Sequence, residues 1–95
     1  MYNKDTRILI TGGAGFVGTN FINDLLNRGH NPKCIAVIDN MSNGTYIPKV
    51  HDQIENFHEV DIRNQYVENI IQDFKPDYVY HFAGWVSIYD CNNDP

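Results

Sequence analysis

The apolar positions of this chain fall into short runs separated by turn-forming residues. Residues 7–11 are a short β-branched and aliphatic run and residues 34–38 are a fully apolar run too short for a helix, and they predict two buried strands. Residues 56–60 alternate apolar and polar side chains, which predicts a third strand nearer the edge of a sheet. Residues 78–82 are rich in Tyr, Val and Phe and predict a fourth strand. No further period is visible between this strand and Pro95.

Helical spacing separates the predicted strands. Apolar side chains recur every three or four positions in residues 17–26, and Gly29 follows as the expected C-terminal cap. Residues 47–54 predict a weaker helix with a proline in its first turn. Residues 67–74 carry an apolar stripe at i, i+3, i+4 and i+7, and Asn64 before them is the predicted N-cap.

This alternation of strands and helices defines the expected fold class. It implies an α/β fold in which a doubly wound parallel sheet is covered by helices on both faces. We expect about four strands in the order 3-2-1-4. The chain then reverses direction between the first and fourth strands, and ligands bind in the crevice outside the carboxyl ends of the strands. Residues 12–18 and 82–87 form the two lips of this crevice.

The composition limits the possible partners. The 95 residues suffice for a single small domain, and 42% apolar and 20% charged residues are ordinary for a globular protein. The formal net charge of −5 disfavours nucleic acid and anionic membranes as partners, so phosphates of any ligand must be held by backbone geometry. Neither a signal peptide nor a bilayer-spanning apolar run is visible, which predicts a cytoplasmic protein.

The cysteines and histidines show no spacing that is typical of metal ligands. Cys34 and Cys91 stand far apart in the chain and are predicted to be free thiols. The four histidines are expected to have structural or surface roles, and no metal site is predicted.

A glycine motif, TGGAGFVG, occupies residues 11–18 between the first strand and the first helix. Gly12 permits a tight turn, Gly15 lets a pyrophosphate approach the backbone, and Gly18 lets the helix pack close to the sheet. Free amides at the helix start would then face the phosphates. A glycine-rich turn without a ligand is the alternative for the motif taken alone. A P-loop is excluded because Thr19 stands where its lysine is required.

An acid at the end of the second strand supports a dinucleotide site. The carboxylate of Asp39 can accept hydrogen bonds from an adenosine ribose and would repel a 2'-phosphate, which favours NAD over NADP. In isolation Asp39 is equally well read as a turn-forming residue, but its place after the glycine motif favours the binding role.

Motifs along the whole chain resemble the extended short-chain dehydrogenase/reductase family. In order, they are TGGAGFVG at 11–18, DNMSNG at 39–44, DIR at 61–63, DYVYHFA at 77–83, and Ser87-Ile88 with Asp94-Pro95. The resemblance implies a Rossmann-like fold, bound NAD, and a complete enzyme that epimerises or dehydrates a nucleotide-sugar by transient hydride transfer to NAD. Residues 61–64 and 81–84 are most similar to UDP-glucose 4-epimerases. Val86 departs from the pattern, since many such epimerases have Lys there.

The resemblance also assigns cofactor contacts. Phe16 and Val17 would line the pyrophosphate turn, and residues 39–44 would hold the adenosine ribose and phosphate. Asp61 and Ile62 would flank the adenine. The expected cofactor-binding residues are Gly12, Gly15, Phe16, Val17, Gly18, Asp39, Asn40, Ser42, Asn43, Gly44, Asp61, Ile62, Phe82, Ala83 and Gly84.

The catalytic pair of the family has no counterpart in this sequence. The resemblance implies a catalytic Tyr that acts as acid and base, with a Lys four residues later. None of the six tyrosines in this sequence has Lys at that distance. We therefore expect residues 1–95 to be an N-terminal NAD-binding portion without catalytic residues or a substrate domain, and expect the chain alone to be inactive.

A hypothesis of another class is a stand-alone nucleotide-binding or assembly module. If no strand follows the fourth one, its edge of Tyr, Val and Phe would be exposed, and exposed edges pair with other chains. This predicts self-association through the fourth strand and a homo-oligomer.

Overall fold

The computed structural model describes residues 3–41 and 45–82 and the backbone of 87–90. The strands are β1 (Ile8–Thr11), β2 (Ile35–Asp39), β3 (Asn56–Glu59), β4 (Tyr78–His81) and β5 (Ser87–Asp90). The helices are α1 (Phe16–Asn27), α2 (Pro48–His51) and α3 (Tyr66–Phe74), and a 3-10 helix, Pro32–Cys34, precedes β2.

The first four strands form the expected parallel sheet in the order β3-β2-β1-β4. The central strand β1 pairs with β2 on one side and with β4 on the other, so that Ile10 lies opposite Val37 and opposite Tyr80. The sheet therefore reverses its order between β1 and β4, as a doubly wound fold does. The predicted fold class and strand order are confirmed.

The fifth strand corrects the expectation that no strand follows β4. β5 pairs antiparallel with β4, with Ile88 opposite Tyr80. Its sequence, SIYD, has two adjacent apolar residues between two polar ones, which is neither an alternation nor a continuous apolar run. Because β5 covers the outer edge of β4, the argument for self-association through an exposed fourth strand loses its premise.

The two faces of the sheet carry separate cores. On one face, Ile8 and Ile10 of β1 pack with residues of α1 and α2; on the other, Leu9 packs with α3. The two core clusters are completed by Ile22, Leu25, Ile35, Val37, Val50 and Ile54 on the first face and by Ala36, Ile38, Val67, Ile70 and Phe74 on the second. Helices on both faces hold the strands in the register that brings their carboxyl ends together.

The predicted helix ends are close to those observed. The C-cap of α1 is Arg28, and Gly29 follows it with φ +86° and donates its N–H to the carbonyl of Leu26, as a glycine that ends a helix does. The N-cap of α3 is Gln65, one residue after the predicted Asn64, whose side chain accepts the N–H of Tyr66 at 2.8 Å. The second helix is shorter than expected and begins at its proline. Within residues 3–41 and 45–82, no helix has the length and apolarity that crossing a bilayer requires.

Candidate functional site

Three glycines of the motif, two in the turn after β1 and one in the first turn of α1, are required by the fold itself. Gly12 has φ +74°, a left-handed conformation that a β-carbon disfavours. A β-carbon on Gly18 would lie 2.3 Å from the carbonyl oxygen of Gly12, so α1 can pack this close to the turn only with glycine there. A β-carbon on Gly13 would lie 2.5 Å from the Val37 side chain of β2. The predicted roles of Gly12 in the turn and Gly18 in packing agree with this geometry.

Gly15 differs from these three. Its backbone is extended, with φ −75° and ψ 174°, which any residue can adopt. A β-carbon there would meet only the carbonyl oxygen of Gly12, at an ordinary contact distance of 3.4 Å. Gly15 also lines a surface cavity of about 300 Å³, together with Ala14, Phe16, Thr19, Asn20, Thr45 and Ile47. Neither the backbone conformation nor the packing of the fold requires glycine at this position.

The amino end of α1 lies at this cavity. Gly15 is the N-cap and has no side chain to accept the first helical amides, and no acidic residue lies in the first turn. Phe16 is 84% exposed and Val17 51% exposed, although both are apolar. Exposed amides at a helix amino end form a site for an anion, and a pyrophosphate is of the size that such a glycine turn admits.

Asp39, the last residue of β2, is hydrogen-bonded to the glycine turn. Its carboxylate accepts the N–H of Ala14 through Oδ2 at 2.8 Å and the N–H of Met41 through Oδ1 at 2.7 Å. The residue is only 7% exposed. Two carboxylate oxygens offer about four lone-pair directions, so capacity for ribose hydroxyls remains. Asn40 follows at the exposed surface, and Ser42, Asn43 and Gly44 lie outside the described residues.

The carboxyl ends of β1 and β4 are joined at the predicted crevice. The hydroxyl of Thr11 shares a short hydrogen bond with Nδ1 of His81, and the N–H of Phe82 donates to the carbonyl of Thr11 at 2.8 Å. The Phe82 ring packs edge-on against Phe21 of α1. The structure therefore places Phe82 at the lip of the crevice, whereas Ala83 and Gly84 lie outside the described residues.

Asp61 and Ile62 follow β3 on the other side of Asp39. The backbone carbonyl of Asp39 accepts the N–H of Val60, which continues the pairing of β2 and β3 beyond the strand end. The Asp61 carboxylate accepts hydrogen bonds from the side chain and from the backbone N–H of Arg63. These bonds, the side-chain one most strongly, lower the pKa of Asp61 to about 2. The same contact raises the pKa of Arg63. Ile62 packs half-buried against the α3 core.

The segment before and within α2 supplies two contacts that the sequence analysis missed. The N–H of Thr45 donates to the carbonyl of Ala14 at 2.9 Å, and Nε2 of His51 lies 3.0 Å from the carbonyl of Gly13. His51 is fully buried. Its position four residues after Ile47 and next to Val50, on the core-facing side of the predicted helix, was the available indication of burial.

The thiol and metal predictions concern the cysteines and the histidines. Cys34 is a buried free thiol, as predicted, and Cys91 lies outside the described residues. In the part of the chain that the structure describes, no three His, Cys, Asp or Glu side chains gather as metal ligands would.

Comparison with known protein families identifies the family of this chain. Residues 8–95 match the family described as the NAD dependent epimerase/dehydratase family. The chain belongs to this family. The family resemblance of the motifs is thereby confirmed, and NAD is the cofactor on which the family depends.

Individual relatives cover the same region. The chain is 34% identical over 85 residues to the UDP-glucose 4-epimerase of Drosophila melanogaster, a match that covers 80% of this chain and 24% of that protein. The UDP-glucose 4-epimerase of Thermus thermophilus in complex with NAD superposes with a TM-score of 0.65 at 36% identity, over 82% of this chain and 24% of that one. The dTDP-glucose 4,6-dehydratase of Bacillus anthracis in complex with NAD superposes with a TM-score of 0.69 at 28% identity, over 82% and 26%. The chain spans about a quarter of the length of these relatives.

Proposed function

We propose that this chain is the NAD-binding portion of a nucleotide-sugar epimerase or dehydratase. The observation that carries the proposal is Gly15, where the fold leaves space for a β-carbon and the sequence nevertheless has none. A glycine that folding does not require, at an uncapped helix amino end, is accounted for by a ligand that lies against the backbone. Membership of an NAD-dependent family identifies that ligand as NAD.

The residues present suit the two polar parts of the cofactor. The amides of Phe16 and Val17 would donate to the pyrophosphate, whose charge the amino end of α1 favours. The carboxylate of Asp39 would accept the ribose hydroxyls of the adenosine and repel a 2'-phosphate, which favours NAD over NADP. When bound, NAD would accept and return a hydride during epimerisation or dehydration.

The remaining predicted contacts belong to the adenine and the crevice. Asp61 and Ile62 would flank the adenine beyond β3, and Phe82 would support the cofactor from β4. The predicted contacts of Asn40, Ser42, Asn43, Gly44, Ala83 and Gly84 are part of the same proposal and are supported by their motifs alone.

The substrate class is proposed from the relatives. A UDP-glucose 4-epimerase and a dTDP-glucose 4,6-dehydratase both act on sugars attached to a nucleoside diphosphate. We propose a nucleotide-sugar as the substrate of the complete enzyme, with UDP-glucose 4-epimerisation as the first choice. No tyrosine of the 95 residues is followed by Lys at the fourth position, so the chain alone would bind the cofactor without turnover.

Calorimetric titration tests cofactor binding. The chain is titrated with NAD, with ADP-ribose, which lacks nicotinamide, and with NADP. We expect saturable binding of NAD and ADP-ribose with similar dissociation constants, and binding of NADP that is weaker by at least about tenfold, or 1.4 kcal/mol. A folded chain that binds none of the three, or one that binds NADP as tightly as NAD, would contradict the proposal.

A separate assay tests the absence of turnover. The chain is incubated with UDP-glucose and NAD, and the nucleotide-sugars are separated by chromatography. We expect UDP-glucose to be recovered unchanged, and formation of UDP-galactose would contradict this part of the proposal.

A further inference from the structure

The peptide between Gly13 and Ala14 is held by a side chain at each end. Its carbonyl, on Gly13, accepts from His51, and its N–H, on Ala14, donates to the carboxylate of Asp39. A peptide unit is planar, so two hydrogen bonds on opposite edges fix its rotation about the chain axis. This peptide immediately precedes Gly15 and therefore sets the direction in which the backbone enters α1.

The hydrogen bonds of His51 determine its protonation state. Nε2 faces the carbonyl oxygen of Gly13, which can only accept, so Nε2 carries a proton. Nδ1 lies 2.8 Å from the backbone nitrogen of Ile47, whose N–H can only donate, so Nδ1 carries none. The imidazole is therefore neutral, and it joins the start of α2 to the glycine turn.

Neighbouring side chains keep the imidazole in this orientation. The rings of Tyr46 and Phe57 lie 5.2 Å and 5.3 Å from it, centroid to centroid, and 5.1 Å from each other. The hydroxyl of Thr19 also donates to the Gly13 carbonyl, at 3.3 Å. A fully buried ring enclosed by two aromatic neighbours has little freedom to turn away from its carbonyl partner.

We propose that His51 is a positioning residue for the dinucleotide. Its Nε2–H holds the Gly13 carbonyl so that the backbone at Gly15 and the amides of α1 face the pyrophosphate before the cofactor arrives. This inference rests on the proposed binding of NAD. The inference goes beyond NAD binding because it attributes the shape of the turn to the side chain of His51. This residue lies 38 residues after Gly13, in a helix outside the glycine motif.

Two substitutions of His51 test the hydrogen bond of Nε2 to Gly13 and the hydrogen bond of Nδ1 to Ile47 separately. In His51→Gln the amide nitrogen reaches the place of Nε2 and can donate to Gly13, whereas in His51→Asn the amide oxygen reaches the place of Nδ1 and can accept from Ile47 only. We expect His51→Gln to bind NAD within about threefold of the unsubstituted chain. We expect His51→Asn to bind NAD about tenfold more weakly, as loss of one hydrogen bond to the turn predicts.

A second buried histidine provides the matched control. His30 contacts the carbonyl of Thr6 through Nε2 at 2.8 Å, at the amino end of β1 and away from the turn. His30→Asn should destabilise the fold as His51→Asn does, without changing NAD affinity under conditions where both variants are folded. If NAD affinity instead follows thermal stability in the variants of both histidines, His51 has only a structural role and the inference is wrong.

Nitrogen NMR of the unsubstituted chain tests the same inference without a variant. The spectrum should show a protonated Nε2 and an unprotonated Nδ1 for His51, and the opposite tautomer would overturn the proposal.

Failure of the positioning role and failure of the proposed function give different results. NAD binding by the unsubstituted chain together with equal binding by His51→Asn removes the positioning role alone, whereas no NAD binding by the unsubstituted chain removes the proposed function and the positioning role with it.

Discussion

The carboxylate of Asp39 accepts the N–H of Ala14 at 2.8 Å, across 25 residues of chain. The end of β2 is thereby joined to the turn that follows β1. A turn held in this way would need little rearrangement to receive the proposed dinucleotide, and preorganisation of this kind improves affinity by reducing the entropy lost on binding. Asp39 therefore serves the fold and the proposed cofactor site together.

Asp39→Asn should weaken both roles. An asparagine offers one acceptor and one NH₂ group to the two N–H donors of Ala14 and Met41, so one buried donor loses its partner. We expect the free energy of unfolding to fall by about 1–3 kcal/mol and the affinity for NAD to fall by at least about tenfold. Urea denaturation and NAD titration measure the two effects.

Asp73→Asn is the control for this substitution because it makes the same chemical change at an exposed position of α3. It should change the free energy of unfolding by less than about 0.5 kcal/mol. Equal effects of the two substitutions would show that the contact between Asp39 and Ala14 contributes nothing specific.

Gly18→Ala should destabilise the fold itself. The new β-carbon would lie 2.3 Å from the Gly12 carbonyl oxygen and 2.8 Å from the Gly13 α-carbon, and these backbone atoms cannot move aside as a flexible side chain could. We expect a loss of at least about 1–3 kcal/mol in urea denaturation, together with weaker NAD binding.

Gly29→Ala is the comparison for Gly18→Ala. Gly29 has φ +86° and no atom within 4 Å of the added carbon, so alanine there introduces backbone strain of about 1 kcal/mol without a collision. It should lower stability while leaving NAD affinity unchanged. A Gly18→Ala chain as stable as the unsubstituted one would refute the close packing of α1 on the turn.

Phe16→Ala tests the exposed ring at the amino end of α1. Because Phe16 is 84% exposed, its removal should change the free energy of unfolding by less than about 0.5 kcal/mol. Since Phe16 is proposed to line the pyrophosphate turn, NAD affinity should fall by several-fold in calorimetric titration. Tyr66→Ala removes another exposed aromatic ring, on α3, and should leave NAD affinity unchanged; equal losses in both variants would contradict the assignment.

The ion pair of Asp61 and Arg63 makes a prediction about pH. Arg63 holds the pKa of Asp61 at about 2, below its ordinary value of 3.8. Since the pKa is lower in the folded state, the pair stabilises the fold above pH 3.8 and this contribution is lost as the pH falls toward 2. We expect Arg63→Met to move the titration midpoint of Asp61 toward 3.8 in carboxyl-carbon NMR.

Arg28→Met is the control, because Arg28 is the exposed partner of Asp24 and not of Asp61. The Asp61 midpoint should stay near 2 in this variant. An unchanged midpoint in Arg63→Met would mean that Arg63 does not form the ion pair in solution.

The parts of the site that could be predicted from the sequence depend on one local motif and on the predicted strand order. Gly12 and Gly18 belong to one motif whose spacing indicates their roles in the turn and in helix packing, and Asp39 ends an apolar run that predicts a buried strand. Parallel pairing of that strand with β1 then brings Asp39 to the turn, so its place followed from the predicted strand order.

Contacts between distant elements were not predictable in this way. Periodicity indicates that His51 faces a core, but it does not indicate which carbonyl the imidazole meets 38 residues earlier. β5 was missed because four residues with two central apolar ones carry no period, and its pairing depends on β4 offering a free edge. The contact of His51 and the formation of β5 both depend on a partner that is distant in the sequence, so the local sequence does not predict them.

NAD titration of Gly15→Ala tests the central claim most directly. Since the added β-carbon meets only ordinary contact distances, the free energy of unfolding should change by no more than about 1 kcal/mol, as expected for exchange of an N-cap residue. The affinity for NAD should nevertheless fall by at least about tenfold, because the carbon would occupy the place proposed for the pyrophosphate. A Gly15→Ala chain that is stable and binds NAD as tightly as the unsubstituted chain would show that this glycine turn does not hold the cofactor.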